Sequence, residues 1–339
     1  MAERVSDIGE LGLIHRIGSL LERDGCRSPQ VSIGIGDDAA SFLPRAGCEL
    51  LITCDSMVEN RHFLPAFIES FDRGRRAMTS NISDIGAMGG TPLYGLVSLG
   101  LPADALVLDI EALYRGFLHE LNPFHASIVG GNLTRSGDGM FIDITLVGEV
   151  AQGKAVRRSG ARPGDAVLVT GFPGRAAAGL QLLLQAARDG RSAGHPLVDA
   201  YKTPSHRARA GIALAATGYA TAMTDTSDGF PGDLGHLCEA SGVGAEIVRE
   251  RIPCDGAIRA AAAALGRDPY AFILGESDDY ELIITCDPRR VQSLQSVSSA
   301  CAVPLTEVGK ITAEQGMHVV LPDGRKVPLG AAGFDHFRP

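Results

Sequence analysis

Asp37 and Asp38 follow two glycines in Gly34-Ile35-Gly36-Asp37-Asp38-Ala39. Four further segments repeat the theme: Thr53-Cys54-Asp55, Asn81-Ile82-Ser83-Asp84, Asp225-Thr226-Ser227-Asp228-Gly229 and Asp278-Asp279-Tyr280-Glu281. Neighbouring carboxylates do not both ionise cheaply inside a fold, so they face water or hold cations. Magnesium prefers octahedral oxygen ligation, keeps several waters, and is held by one or two carboxylates together with substrate phosphates. Any one of these segments is an ordinary turn or cap, because Asp favours both. Their recurrence points to a magnesium–phosphate site assembled from loops far apart in sequence.

Other chemistries fit less well. Gly34-x-Gly36-x-x-Ala39 matches a dinucleotide-binding fingerprint, and Asp55 lies where a ribose-binding acid belongs. Yet the short stretch between Asp38 and Glu49 contains Pro44 and Gly47, which leaves no room for the crossover helix that parallel strands require. Asp37 and Asp38 would also face a pyrophosphate directly and repel it. Gly153-Lys154 and Gly309-Lys310 lack the rest of a P-loop, and neither His-Glu-x-x-His nor a nucleophile elbow occurs. Gly171-Phe172-Pro173-Gly174, between a strand and a helix, is either an anion site at a helix N-terminus or a structural turn. Arg157-Arg158 is either a fixed charge for a nucleotide phosphate or a solvated pair.

These loops need strands and helices to hold them. Leu11, Leu13, Ile14, Ile17, Leu20 and Leu21 fall at helical spacing, and Asp24-Gly25 ends that helix. Val31–Ile33 reads as a short strand, and 50–53 as a buried strand delivering Asp55. A helix over 72–88 puts Asn81 and Asp84 on one face. Strand 93–101, helix 105–120, strand 126–129 (ending in Gly130-Gly131-Asn132) and strand 141–150 complete the first half. A shift to Gly, Arg and Pro across 152–165 marks a boundary, giving domains 1–151 and 152–339. The second half alternates strands near 166–170, 222–224, 245–248, 281–285 and 305–311 with helices, and closes on a hairpin at Asp323-Gly324. The fold class is α+β, in two domains.

Bulk properties narrow the partners. The 42 glycines among 339 residues exceed the ~7% average, as expected where backbone turns sharply or approaches a ligand. A net charge of −9 without a long basic run argues against nucleic acid. The seven scattered cysteines, odd in number and never in Cys-x-x-Cys, suit reduced thiols of a cytoplasmic protein. Charged residues interrupt the N-terminus, and no apolar run is long enough to span a membrane.

The ordered set of motifs resembles the thiamine-monophosphate kinase family, within the superfamily of aminoimidazole ribonucleotide synthase. The matching pieces are the segments above together with His62-Phe63, Gly130-Gly131-Asn132, Arg158–Asp165 and Gly333-Phe334-Asp335-His336-Phe337. Each is weak alone, but their common order over most of the chain is specific. The resemblance implies a homodimer joined through its N-terminal halves. It implies transfer of the γ-phosphoryl group of ATP to thiamine monophosphate, assisted by several Mg2+ ions, with no covalent nucleophile or general base. By motif match, Asp37, Thr53, Asp55, Asp84, Asn132, Asp225 and Asp228 hold metal. Tyr114, Gly131, Asn132, Arg158 and Ser227 contact ATP, and His62, Asp278 and Phe334 contact thiamine monophosphate. Three positions depart from the family pattern: Asn132 stands where Asp is common, Cys54 where Ser or Thr is, and Asp278 where Glu is. Selenophosphate synthesis is the nearest rival activity, and a non-catalytic nucleotide-binding regulator is the alternative of another class.

Overall fold

In the computed structural model, which describes residues 2–137, 139–190 and 194–330, the chain forms two units. One runs through Ile85 and from Gly90 to Gly153. The other comprises Gly86–Gly89 and the chain from Lys154 onward.

The first unit opens with α1 (Val5–Asp24), which buries Leu13, Ile17, Leu20 and Leu21 on one face. Strands β1 (Val31–Ile33) and β2 (Ser41–Phe42) pair only with each other. The chain continues through β3 (Cys48–Val58), α2 (Ser70–Ala87), β4 (Thr91–Leu101), α3 (Val107–Leu121), β5 (Ser127–Arg135) and β6 (Phe141–Ala151). These strands form a four-stranded sheet in the order β3-β6-β4-β5. Only β4 and β5 are parallel, and α3 supplies the crossover such a pair requires. Helix α2 packs on the sheet so closely that a Cβ added at Gly148 would lie 2.5 Å from the Ile85 side chain.

Two strands differ from their sequence reading. The segment 50–53 reads as a buried strand, but β3 is longer and one face of it is open: Ile52 is 69% and Leu50 40% exposed. An apolar run does not say which face of a sheet will be covered. Strand β5 also continues through Gly130-Gly131-Asn132 to Arg135, because its pairing with β4 continues.

The second unit contains β7 (Ala166–Thr170), α4 (Arg175–Arg188), α5 (Pro196–Lys202), α6 (Ala208–Ala216), β8 (Ala220–Asp225) and α7 (Phe230–Ser241). It continues with β9 (Gly244–Val248), α8 (Gly256–Leu265), α9 (Tyr270–Ile273), β10 (Leu282–Cys286), α10 (Val291–Ala300), β11 (Leu305–Thr312), β12 (Gly316–Val320) and β13 (Lys326–Pro328). The sheet order is β13-β12-β9-β11-β7-β10-β8. Val167, Val169 and Ile283 point into one core with Phe230 and Leu234. Ala166, Leu168 and Ile284 point into another with Leu214 and Leu294. Burial on both faces explains why β7 and β10 are continuous apolar runs. Helices α5 and α9 are too short to leave a periodic signal in the sequence.

Candidate active site

In the first unit the alternation of β3 sends Thr53 and Asp55 to the same face of the sheet. There the Thr53 hydroxyl donates to Asp84 Oδ2 on α2. The strand register continues the row of Asp55 through Ile144 and Val97 to Gly131. Gly131 is required there, since a Cβ would stand 1.9 Å from the Val97 carbonyl oxygen. The next row, Ser56, Asp143, Ser98 and Asn132, belongs to the opposite face. Asn132 is thus adjacent to Gly131 in sequence but not on the face of Asp55.

Asp37 lies exposed in the loop between β1 and β2, where its carboxylate accepts the Asp38 amide at 2.9 Å. No helix occurs between this loop and Asp55, which excludes the dinucleotide-binding arrangement. His62 sits in a turn held by the Asn60 amide donating to the Phe63 carbonyl at 2.8 Å. Its Nδ1 accepts the Val58 amide at 2.9 Å, which leaves the proton of the neutral ring on Nε2. Tyr114 packs inside the unit edge-on to Phe117, and burial pushes its phenol pKa far up.

In the second unit β10 lies between β7 and β8 and runs antiparallel to both. The loops leaving β7 and β8 and the loop entering β10 therefore share one end of the sheet. They carry Gly171–Gly174, Thr226–Gly229 and Asp278–Glu281. Asp225 is buried at the end of β8, opposite Leu282, and Ser227 and Asp228 are half-buried. Asp278 is half-buried two residues before Tyr280. Arg158 Nε donates to the Thr224 hydroxyl at 3.2 Å. Phe334 lies outside the described residues.

The anion at the start of α4 proves to be internal. Asp279 accepts the amides of Gly174 (2.5 Å) and Ala176 (2.7 Å), and Ser277 accepts that of Ala177 at 3.1 Å. Burial nevertheless pushes the Asp279 carboxyl up to about 6. The Gly171–Gly174 turn is therefore the structural one of its two sequence readings. Glu281 is likewise committed: Arg207 grips it with two hydrogen bonds of 2.7 Å, and Thr170 adds a third of 2.7 Å. Nothing in the sequence near 281 announces Arg207, because the pairing is made only by the fold.

Asp233, on the first turn of α7, is 1% exposed and accepts the Asp228 amide at 3.0 Å. Burial drives its pKa to about 7; the hydrogen bond from the Asp228 amide opposes that rise, the Asp228 charge adds to it and Arg158 opposes it. An acid raised above its unfolded value of 3.8 stabilises most when protonated, and that contribution is lost as pH rises through about 7. Asp233→Asn keeps an acceptor for the Asp228 amide and removes the charge. In metal-free buffer the variant is expected to gain melting temperature relative to the parent, by more at pH 8 than at pH 5, as thermal denaturation at both values would show.

The donors that converge in each unit are hard oxygens, of the kind magnesium takes. Among the described residues no three His, Cys, Asp or Glu side chains gather closely enough to hold an ion by themselves. Such a donor set suits magnesium completed by water and phosphate oxygens, and does not suit zinc or an all-protein calcium cage.

Comparison with known proteins matches this arrangement along its whole length. Residues 36–150 match the family model "AIR synthase related protein, N-terminal domain", and 162–322 match the corresponding C-terminal domain. Thiamine-monophosphate kinase of Bacillus subtilis is 33% identical over 311 residues, 91% of this chain and 94% of that protein. The enzyme of Aquifex aeolicus is 34% identical over 336 residues, 98% of this chain and all of that protein. The solved thiamine-monophosphate kinase of Stenotrophomonas maltophilia has a TM-score of 0.81 at 34% identity, covering 93% of this chain and 96% of its own. AaThiL complexed with AMPPCP and TMP has a TM-score of 0.75 at 33% identity, covering 99% and 100%. Likeness of this extent, with the aspartate loops in their expected order, shows that the chain belongs to the thiamine-monophosphate kinase family of AIR synthase related proteins.

Proposed function

We propose that the chain transfers the γ-phosphoryl group of ATP to thiamine monophosphate, giving thiamine diphosphate and ADP. The observation that carries this reading is the end-to-end likeness to AaThiL complexed with AMPPCP and TMP. An oxygen of the thiamine phosphate forms the new P–O bond while the bond between the γ-phosphorus and the β–γ bridging oxygen breaks. The acceptor phosphate is already largely ionised near neutral pH, so no covalent nucleophile or strong general base is needed. Catalysis then rests on positioning and charge neutralisation. Bound Mg2+ would supply the positive charge that offsets repulsion between two anionic phosphates.

We assign Asp37, Thr53, Asp55, Asp84 and Asn132 of the first unit, and Asp225 and Asp228 of the second, as the ligands of several Mg2+ ions. The hard-oxygen donor set supports this. Tyr114, Gly131, Asn132, Arg158 and Ser227 are assigned to ATP, and His62, Asp278 and Phe334 to thiamine monophosphate. Since the Nδ1 of His62 accepts the Val58 amide, we assign its Nε2–H to an acceptor atom on the substrate. The N-terminal half through residue 151 is assigned the metal, ATP and dimer contacts. The uncovered apolar side of β3 supports a homodimer that buries Leu50 and Ile52. A cytoplasmic setting agrees with all seven cysteines being free thiols, and among the described residues no helix is long and apolar enough to cross a membrane. The deciding assay measures ADP release and thiamine diphosphate formation from ATP, Mg2+ and thiamine monophosphate. Absence of product from folded protein that still binds ATP refutes the proposal.

A further inference from the structure

Two loops with different assignments are fastened together by one residue. Asp225 and Leu282 face each other on β8 and β10, so the loop leaving β8 lies beside the loop entering β10. Thr226 is fully buried and makes three hydrogen bonds across that gap. Its amide donates to the Glu281 carbonyl at 2.8 Å, and its carbonyl accepts the Tyr280 amide at 2.9 Å. Its hydroxyl accepts the Glu281 amide at 3.0 Å. Tyr280 has φ of 53°, a left-handed conformation that a bulky residue avoids unless its surroundings enforce it. The bonds to Thr226 supply that enforcement. On the other side of Thr226, the Asp228 amide is tied down by Asp233, so little slack separates the two loops.

We propose that Thr226 couples nucleotide binding to binding of the phosphate acceptor. Ligand contact at Ser227 and Asp228 orders Thr226, and the same three bonds order the segment that carries Asp278. Whichever ligand arrives second then meets a loop whose ordering cost has already been met, which makes binding cooperative in both directions. Thr226 acts through its neighbours, as a positioning residue. The inference rests on the assignment of Ser227 and Asp228 to the nucleotide and metal and of Asp278 to thiamine monophosphate.

Calorimetric titration with AMPPCP and Mg2+, with and without saturating thiamine monophosphate, tests it. In the parent protein the acceptor should tighten AMPPCP by roughly five-fold or more, the lower end of ordinary coupling. In Thr226→Val each ligand should still bind alone, while the coupling falls to less than about two-fold, under that range. Thr226→Ser, which keeps the hydroxyl, should restore it. A merely structural role would weaken both ligands without changing their ratio. A parent coupling near one, or full coupling in Thr226→Val, overturns the proposal. If the parent binds neither ligand, the role assignment itself fails and the coupling falls with it.

Hydrogen exchange on the parent protein covers the case in which the valine variant does not fold. AMPPCP with Mg2+ alone should slow exchange of the Tyr280 and Glu281 amides. Protection at 226–228 with no change at 280–281 overturns the coupling.

Discussion

Replacing either Asp55 or Asp84 by Ala is expected to lower turnover by roughly 10²–10³-fold or more, the scale of losing one pre-organised electrostatic contact. The oligomeric state in sedimentation should be unchanged. Asp55 shares the covered face of β3 with Thr53, and Thr53 donates its hydroxyl to Asp84. Removing either carboxylate deletes a charge from a face that nothing else in the row can replace, since the row ends in Val97 and Gly131. Single-turnover kinetics across a Mg2+ titration provide the check. Activity unchanged in both variants would remove these two residues from the metal site. Thr53→Val tests the same face more gently: Asp84 stays but loses its donor, so a smaller loss of activity is expected, partly recovered by added Mg2+.

The second large effect is on stability. Glu281→Ala would leave the Arg207 guanidinium without its carboxylate and the Thr170 hydroxyl without its acceptor. Breaking a buried ion pair on one side typically costs about 3–5 kcal/mol. For a unit of this size that corresponds to a fall in melting temperature of about 6–20 °C. The Glu281 carboxylate is nearly inaccessible whereas Arg207 is a quarter exposed, so losing the glutamate should not simply mirror losing the arginine. Replacing both, as Arg207→Met with Glu281→Leu, should recover much of the loss, because it removes the uncompensated charge along with its partner. A double-mutant cycle by thermal denaturation measures this. A fall under about 1 kcal/mol, the range of exposed pairs, would show that the pair acts as a surface bridge.

Much of the fold is legible in the sequence. Several long elements show their pattern: a period of 2 in β6, three and four in α1, and continuous apolar runs in β7 and β10. The aspartate loops are visible because carboxylates beside Gly, Ser and Thr stand out against apolar strands. What the sequence does not disclose is which face of a strand will be covered. Ile52 and Thr53 are neighbours in a single apolar-looking run, yet one faces outward and the other bonds to Asp84. Only the placement of α2 over one side of the sheet decides between them.

The acidic loop at 278–281 shows the same division at finer scale. Its four residues read alike in sequence, as one acidic turn before a strand. In the fold Asp279 caps α4 and Glu281 holds Arg207, two structural duties that the sequence does not distinguish. The cap joins residues 105 and 103 positions apart in sequence and the ion pair residues 74 apart, and no local pattern encodes a partner at such distances. Residue type and local period thus determine which elements form and which loops are rich in oxygen donors, since those depend on near neighbours. Strand order and helix placement, which depend on burying apolar faces against distant segments, decide which of those oxygens the protein keeps for its own stability and which it leaves for chemistry.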